Sequence, residues 1–156
     1  MKKATVRALF DSDGMKIDFN PENRPRRILL VDDEIDLLEL LGAVLRNVGY
    51  KVQCAENGAK GLEYFRRGEW DAVIIDRAMP EMNGEELAEA IKASSPMVPL
   101  IMITGMRGAI SRPELFDFIL SKPFRTKELV DSLAGAFQMN ETDCSFTNPR
   151  EGKMTA

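Results

Sequence analysis

From residue 27 onward the chain alternates short apolar runs with longer segments in which apolar residues recur at helical spacing. Short runs rich in Val, Ile and Leu are typical of buried strands. They occur at RILLV (27–31), KVQC (51–54), DAVII (71–75), VPLIMI (98–103) and FDFIL (116–120). Helical patterns cover 35–47, 57–67, 84–93 and 126–138. This alternation predicts an α/β fold, a doubly wound five-stranded parallel sheet with helices on both faces.

The connection between the fourth and fifth strands is short. Seventeen residues lie between Thr104 and Lys122, and the fifth strand needs about five of them. The remainder is close to the minimum of about 10–12 residues for a crossover, and it contains Gly105, Gly108 and Pro113, which are poor residues for a helix interior. We therefore expect the helix between the fourth and fifth strands, which would be the fourth helix in chain order, to be shortened or irregular.

Two glycines are placed where helices begin or end. Gly49 follows the first helical pattern and can take the left-handed conformation that ends a helix. The segment MPEMNG (79–84) reads as a turn, in which Gly84 is free to adopt a positive φ before the third helix.

The two ends of the chain differ from the alternating region. Residues 5–19 alternate apolar and polar positions around DSDG, which is as typical of a β-hairpin as of a solvated arm. NPENRPRR (20–27) reads as a linker, and residues 140–156 lack periodicity. We expect an N-terminal extension and linker at 1–25, one domain at 26–139 and a disordered tail at 140–156.

Composition excludes several classes of protein. The chain has 156 residues, of which 44% are hydrophobic, enough for one sizeable core. A net charge of −4 argues against a general nucleic-acid binder, and no signal peptide or membrane span is recognisable. Two cysteines, Cys54 and Cys144, fit a reducing, cytoplasmic location without a disulfide framework. The absence of histidine excludes imidazole zinc sites, Ser-His-Asp triads and a phosphohistidine on this sequence.

Polar side chains follow four of the predicted strands. Asp32 and Asp33 follow the first, Asp76 the third, Thr104 the fourth and Lys122 the fifth. In a parallel sheet these ends meet at one edge, where ligands bind. An Asp-Asp pair alone is equally typical of a helix N-terminus. Three converging carboxylates need raised pKa values or a cation, and Mg²⁺ prefers such oxygen ligands. We therefore predict a magnesium site.

Four short motifs lie at these strand ends: LLVDDE (29–34), DAVIIDRAMPEMNG (71–84), IMITG (101–105) and SKPF (121–124). Together they resemble the motifs of the receiver domain of two-component response regulators, and the resemblance covers 26–139. Each motif is weak alone, but their order and strand-end placement are specific. The resemblance implies a flavodoxin-like strand order, 2-1-3-4-5, and a phosphoacceptor that is not itself an enzyme acting on a separate substrate.

The resemblance also implies roles for individual residues. Asp76 would accept the phosphoryl group. Mg²⁺ would be bound by Asp33, Asp76 and the backbone carbonyl of Ala78, with Asp32 acting through water. Thr104 and Lys122 would contact the phosphoryl oxygens, and the Lys122–Pro123 bond would be cis. The implied partners are a sensor histidine kinase or phosphotransfer protein and a downstream protein, with no direct contact to nucleic acid or membrane.

Three positions depart from the family pattern. Ile119 stands three residues before the lysine, where the family usually has an aromatic switch residue, and Phe118 is adjacent. Ala78 and Met106, two residues beyond Asp76 and Thr104, cannot orient a hydrolytic water. We therefore expect an altered readout, in which phosphorylation orders the loop at 105–116, and slow loss of the phosphoryl group.

Two other functions use a similar arrangement. A magnesium-dependent aspartate-nucleophile phosphatase normally has a second aspartate two residues after the nucleophile, but Glu34 and Ala78 occupy those positions after Asp32 and Asp76. A flavin carrier of the same topology would need Ser, Thr and Gly around its phosphate where this chain has two aspartates. The receiver reading is therefore preferred.

Overall fold

The computed structural model describes residues 24–105 and 110–139. The strands are β1 (Arg27–Val31), β2 (Lys51–Ala55), β3 (Ala72–Asp76), β4 (Leu100–Thr104) and β5 (Phe118–Ser121). The helices are α1 (Ile35–Val48), α2 (Gly58–Arg67), α3 (Gly84–Ser94) and α4 at 126–139. The predicted hairpin at 5–19 and tail at 140–156 lie outside the described residues, as does Cys144, whereas Cys54 is a free thiol.

All five strands are parallel and lie in the order β2-β1-β3-β4-β5. This confirms the predicted sheet and its strand order. The last three strands lie one or two residues later than predicted, so that Asp76 and Thr104 are the final residues of β3 and β4. Their side chains are therefore held by sheet pairing at the carboxyl edge.

The sheet separates two hydrophobic cores. Ile28 and Leu30 of β1 face one side, where they join residues of α1 and α4 such as Leu45 and Leu133. Alternate residues of the same strand face the other side and join residues of α2 and α3. Because β1, β3 and β4 are buried on both faces, their near-continuous apolar sequences follow directly from this arrangement.

The crossover, residues 105–117 between β4 and β5, lacks a regular α-helix over the part that the structure describes. Its regular structure there is a single 3₁₀ turn, Pro113–Leu115. The irregular helix predicted between the fourth and fifth strands is therefore confirmed for the described residues, because the seventeen residues between Thr104 and Lys122 must also supply β5. Within the described ranges, no helix combines the length and apolarity that a membrane span requires.

One of the two glycine predictions is confirmed and the other is wrong. Gly49 has φ 116° and ends α1, as expected. The positive φ in the β3–α3 loop belongs to Glu81, at 69°, and not to Gly84. Gly84 is instead required because a Cβ there would lie 2.6 Å from the carbonyl oxygen of Asp76. A steric constraint, and not a backbone angle, therefore selects glycine at this position.

This contact predicts a measurable cost. Gly84→Ala should lower the free energy of unfolding by about 1–3 kcal/mol, because neither the β3 backbone nor the start of α3 can move freely away. Urea denaturation measures the change. Gly105→Ala is the matched control, since a Cβ there meets nothing within 4 Å, and it should stay within about 0.5 kcal/mol of the native chain. Equal stabilities of the two variants would contradict this account.

Candidate functional site

Three aspartates meet at the carboxyl edge of the sheet. Asp32 and Asp33 directly follow β1, Asp76 ends β3, and these two strands are neighbours in the sheet. One carboxylate oxygen from each residue lies within 4.8 Å of the others. Asp32 and Asp76 are almost completely buried, and Asp33 is partly buried. The structure therefore brings together the three carboxylates that the sequence placed at strand ends.

Lys122 supplies the positive charge of the site. Its Nζ lies 3.2 Å from Oδ1 of Asp76 and 4.0 Å from the carboxylate of Glu34. The backbone N–H of Lys122 donates to the carbonyl of Thr104 at 2.8 Å, and the Lys122–Pro123 bond is cis, as the resemblance implied. The lysine is thus directed at Asp76 by the sheet edge from which it leaves.

Thr104 and Ala78 complete the set of predicted residues. Thr104 is buried at the end of β4, and the preceding residue, Ile103, pairs with Asp76. Ala78 lies in the exposed loop two residues beyond Asp76. Both therefore lie at the same sheet edge as the aspartates and the lysine.

The family model of the response regulator receiver domain matches residues 28–134. The chain belongs to this family. Transcriptional regulatory protein GlrR of Escherichia coli strain K12 is 36% identical over 123 residues, covering 76% of this chain and 28% of GlrR. DNA-binding response regulator MtrA of Mycolicibacterium smegmatis is 32% identical over 123 residues, covering 76% of this chain and 53% of MtrA. The chain thus spans about a quarter to a half of the length of these curated relatives.

Solved structures give the same classification. A response regulator receiver domain protein from Clostridium thermocellum superposes with a TM-score of 0.70 at 26% identity, covering 75% of this chain and 98% of that one. Response regulator TrrA from Thermotoga maritima, solved in complex with Mg(2+)-BeF, gives 0.67 at 34% identity, covering 71% and 98%. The predictions of family and fold are therefore confirmed.

Burial dominates the electrostatics of this receiver domain. Burial raises the pKa of Asp32 from 3.8 to about 6. The hydrogen bond from the backbone N–H of Glu34 opposes this rise, whereas the negative charge of Asp76 adds to it. Burial also raises the pKa of Asp76, and Lys122 offsets only part of the rise. Burial alone would lower the pKa of Lys122, but attraction and a hydrogen bond to Asp76, together with attraction to Asp32 and Glu34, outweigh burial, so the net shift is upward. Binding of a cation would therefore lower the electrostatic free energy of the buried aspartates.

The donor set fits a hard divalent cation. Oδ1 of Asp32 accepts from the N–H of Glu34 at 2.9 Å, whereas its buried Oδ2 has no hydrogen-bond partner among the described residues. A buried carboxylate oxygen without a partner is costly. Oxygen donors of this kind are those that Mg²⁺ prefers.

The switch position of the receiver domain points to the α2–α3 face. Ile119 packs against the core on that face, as does Leu115 of the 3₁₀ turn. Phe118 points the other way, into the α1–α4 core, where its ring fits against Gly135 and an added Cβ would come within 2.9 Å of it. The neighbouring phenylalanine therefore cannot replace the aromatic residue that is missing at 119.

Sequence reasoning missed a set of contacts beside the site. The Glu85 carboxylate lies 3.5 Å from Nε of Arg77 and accepts from the backbone N–H groups of Ser111 and Arg112. Glu85 and Ser111 are 26 residues apart, and neither belongs to a motif. Only the acidic first turn of α3 hinted at a role for Glu85, and that pattern is common to helices in general.

The raised pKa of Asp32 predicts a pH-dependent stability. An acid whose pKa is higher in the folded chain binds more protons when folded, so its contribution to stability falls as pH rises from about 4 to about 6. Asp32→Asn removes the buried charge and should raise the free energy of unfolding by about 2 kcal/mol at pH 7.5 without divalent cations. The gain should disappear below about pH 4. Urea denaturation across this range checks both statements.

The effect of Mg²⁺ on the stability of the native chain and of Asp32→Asn provides a second test. Mg²⁺ should stabilise the native chain at pH 7.5 and stabilise Asp32→Asn much less, because the variant has one fewer anionic oxygen donor. A variant no more stable than the native chain at pH 7.5 would contradict the destabilising role of the buried carboxylate.

Proposed function

We propose that Asp76 accepts a phosphoryl group from a sensor histidine kinase or a phosphotransfer protein in a magnesium-dependent reaction. The observation that carries the proposal is the convergence of three carboxylates within 4.8 Å, with the Lys122 ammonium 3.2 Å from Asp76. The 156 residues contain no histidine, so the phosphohistidine donor lies outside this sequence. The domain is a regulatory phosphoacceptor and not an enzyme with a separate substrate.

The chemistry is an in-line transfer. A carboxylate oxygen of Asp76 attacks phosphorus, the new O–P bond forms, and the P–N bond to the donor imidazole breaks with its electron pair on the imidazole. Lys122 and the Thr104 hydroxyl contact the phosphoryl oxygens, where negative charge is greatest. Bound Mg²⁺ would neutralise charge on the same oxygens. Asp33, Asp76 and the carbonyl of Ala78 would hold it directly, and Asp32 would do so through water.

Two side chains favour a long-lived phosphorylated state. Ala78, in the loop beyond Asp76, is too short to position a water molecule for attack on phosphorus. Met106, two residues beyond Thr104, is apolar and offers no hydrogen bond to such a water. We propose that hydrolysis is slow for this reason.

The signal would leave the domain through protein contacts in the cytoplasm. A net charge of −4 provides no general attraction for nucleic acid, although MtrA is named as a DNA-binding regulator. The proposed signalling contacts do not involve a membrane. A phosphatase with an aspartate nucleophile is disfavoured, because Ala78 stands where its second aspartate would be.

Incubation with Mg²⁺ and a small phosphodonor such as acetyl phosphate should give a phosphorylated peptide that contains Asp76. Asp76→Asn should abolish the label, and Lys122→Gln should slow labelling by about 100-fold, because one charged contact to the phosphoryl oxygens is lost. Peptide mass spectrometry identifies the labelled residue. Arg67→Gln, a change in an exposed residue of α2, is the matched control and should label at the native rate. A label that survives Asp76→Asn would refute the assignment, and turnover of small phosphate monoesters would favour the phosphatase.

A further inference from the structure

The loop that follows Asp76 is hydrogen-bonded to the start of α3. The backbone N–H of Gly84 donates to the carbonyl of Arg77 at 2.9 Å. An added Cβ at Gly84 would lie 2.6 Å from the carbonyl of Asp76. Displacement of the backbone at 76–77 therefore acts directly on the first turn of α3.

Glu85, the next residue of α3, connects this turn to two other segments. Its carboxylate lies 3.5 Å from Nε of Arg77, and both side chains are largely buried, at 14% and 22% exposed. The same carboxylate accepts from the N–H of Ser111 at 3.1 Å and from that of Arg112 at 3.2 Å. Hydrogen bonds to an ionised acceptor are stronger than those between neutral groups. Glu85 thus holds the far end of the crossover against α3.

A second contact joins the same segments but differs in kind. The Arg112 side chain pairs with Glu89 of α3 and with Glu114 of the 3₁₀ turn. These side chains are about half exposed or more, and exposed ion pairs contribute little to stability. The Glu89 pair holds a side chain, whereas Glu85 holds backbone. The two acids therefore form a matched pair for experiment.

The near end of the crossover is attached to the phosphorylation site itself. It leaves β4 at Thr104, whose carbonyl accepts from Lys122 and whose preceding residue pairs with Asp76. Ile119 provides no aromatic ring to rotate toward Thr104. The crossover can therefore respond to phosphorylation without an α-helix in its described part, because Thr104 holds its near end and Glu85 its far end.

We propose that Glu85 is a positioning residue that, together with Arg77, couples the phosphoryl state of Asp76 to the crossover. The inference rests on the proposed function, since it takes Asp76 as the modified residue. When phosphorylation draws Thr104 inward, Glu85 holds the backbone N–H groups of Ser111 and Arg112 in place, so that the movement at the near end of the crossover strengthens the contact at its far end. Arg77 keeps the Glu85 carboxylate tied to the loop that carries the modified aspartate. Neither residue touches the reacting atoms.

Amide hydrogen exchange on the full chain tests this coupling. Mg²⁺ with beryllofluoride, the combination bound in the TrrA structure, serves as the probe of the modified state. In the native chain the amides of Ser111 and Arg112 should gain protection by at least about fivefold on addition of the probe, the lower end of typical allosteric coupling. Glu85→Ala should lose both the resting protection and the gain. Glu89→Gln should keep the gain.

Variants of Arg77 separate coupling from a purely structural role. Arg77→Gln leaves the Glu85 carboxylate free to accept from the crossover, so protection without the probe should stay near the native value. Addition of the probe should then change the protection of Ser111 and Arg112 little or not at all. Arg77→Lys keeps the charge and should restore part of the gain. Labelling by acetyl phosphate, read as intact mass, should proceed in all four variants.

The outcomes distinguish two failures. A native gain that persists in Glu85→Ala and Arg77→Gln would overturn the coupling while leaving Asp76 as the phosphoacceptor. A native chain that takes up no phosphoryl group and shows no response to the probe would overturn the proposed function, and this inference with it. Loss of the gain in Glu89→Gln alone would assign the coupling to the exposed ion pair and so contradict the role of Glu85.

Discussion

Repulsion among three carboxylates, opposed by one lysine, is the constraint on which this receiver domain depends. Asp32, Asp33 and Asp76 lie within 4.8 Å of one another, and Lys122 reaches one of them at 3.2 Å. One ammonium cannot neutralise three carboxylates, and burial raises the pKa of two of them. The site therefore stores electrostatic free energy that binding of a cation releases. In the proposed transfer, the same excess of negative charge would oppose an incoming phosphoryl group, and a bound cation would reduce that repulsion.

The parallel sheet makes this arrangement tolerable. Strands β1, β3 and β4 are buried on both faces, so their ends are positioned by two hydrophobic cores and not by the charges themselves. Gly84 lets the backbone of α3 approach the carbonyl of Asp76 without a steric clash. Apolar packing thus compensates for an unfavourable cluster of charge, as expected of a site whose function requires groups that reduce stability.

The crossover between β4 and β5 is short and is held by polar contacts instead of by a regular α-helix in its described part. The seventeen residues between Thr104 and Lys122 must also supply β5, which leaves little room for a helix, and within the described residues of the crossover only a 3₁₀ turn forms. Ile119 and Phe118 lie on opposite faces of the sheet, so the aromatic ring that β5 supplies lies on the side away from α3. Contacts from the first two turns of α3 hold the crossover instead. A polar attachment of this kind can form or break without repacking a core.

The sequence by itself determined the strands, their parallel arrangement and the grouping of Asp32, Asp76, Thr104 and Lys122, because apolar periodicity and strand-end position are local properties. It misplaced the positive φ at Gly84, since the need for glycine there comes from a carbonyl eight residues earlier in the chain. Only the tertiary structure decided that Glu85 holds Ser111, because a contact between residues 26 positions apart depends on how an irregular segment crosses the sheet, and no local pattern specifies that path.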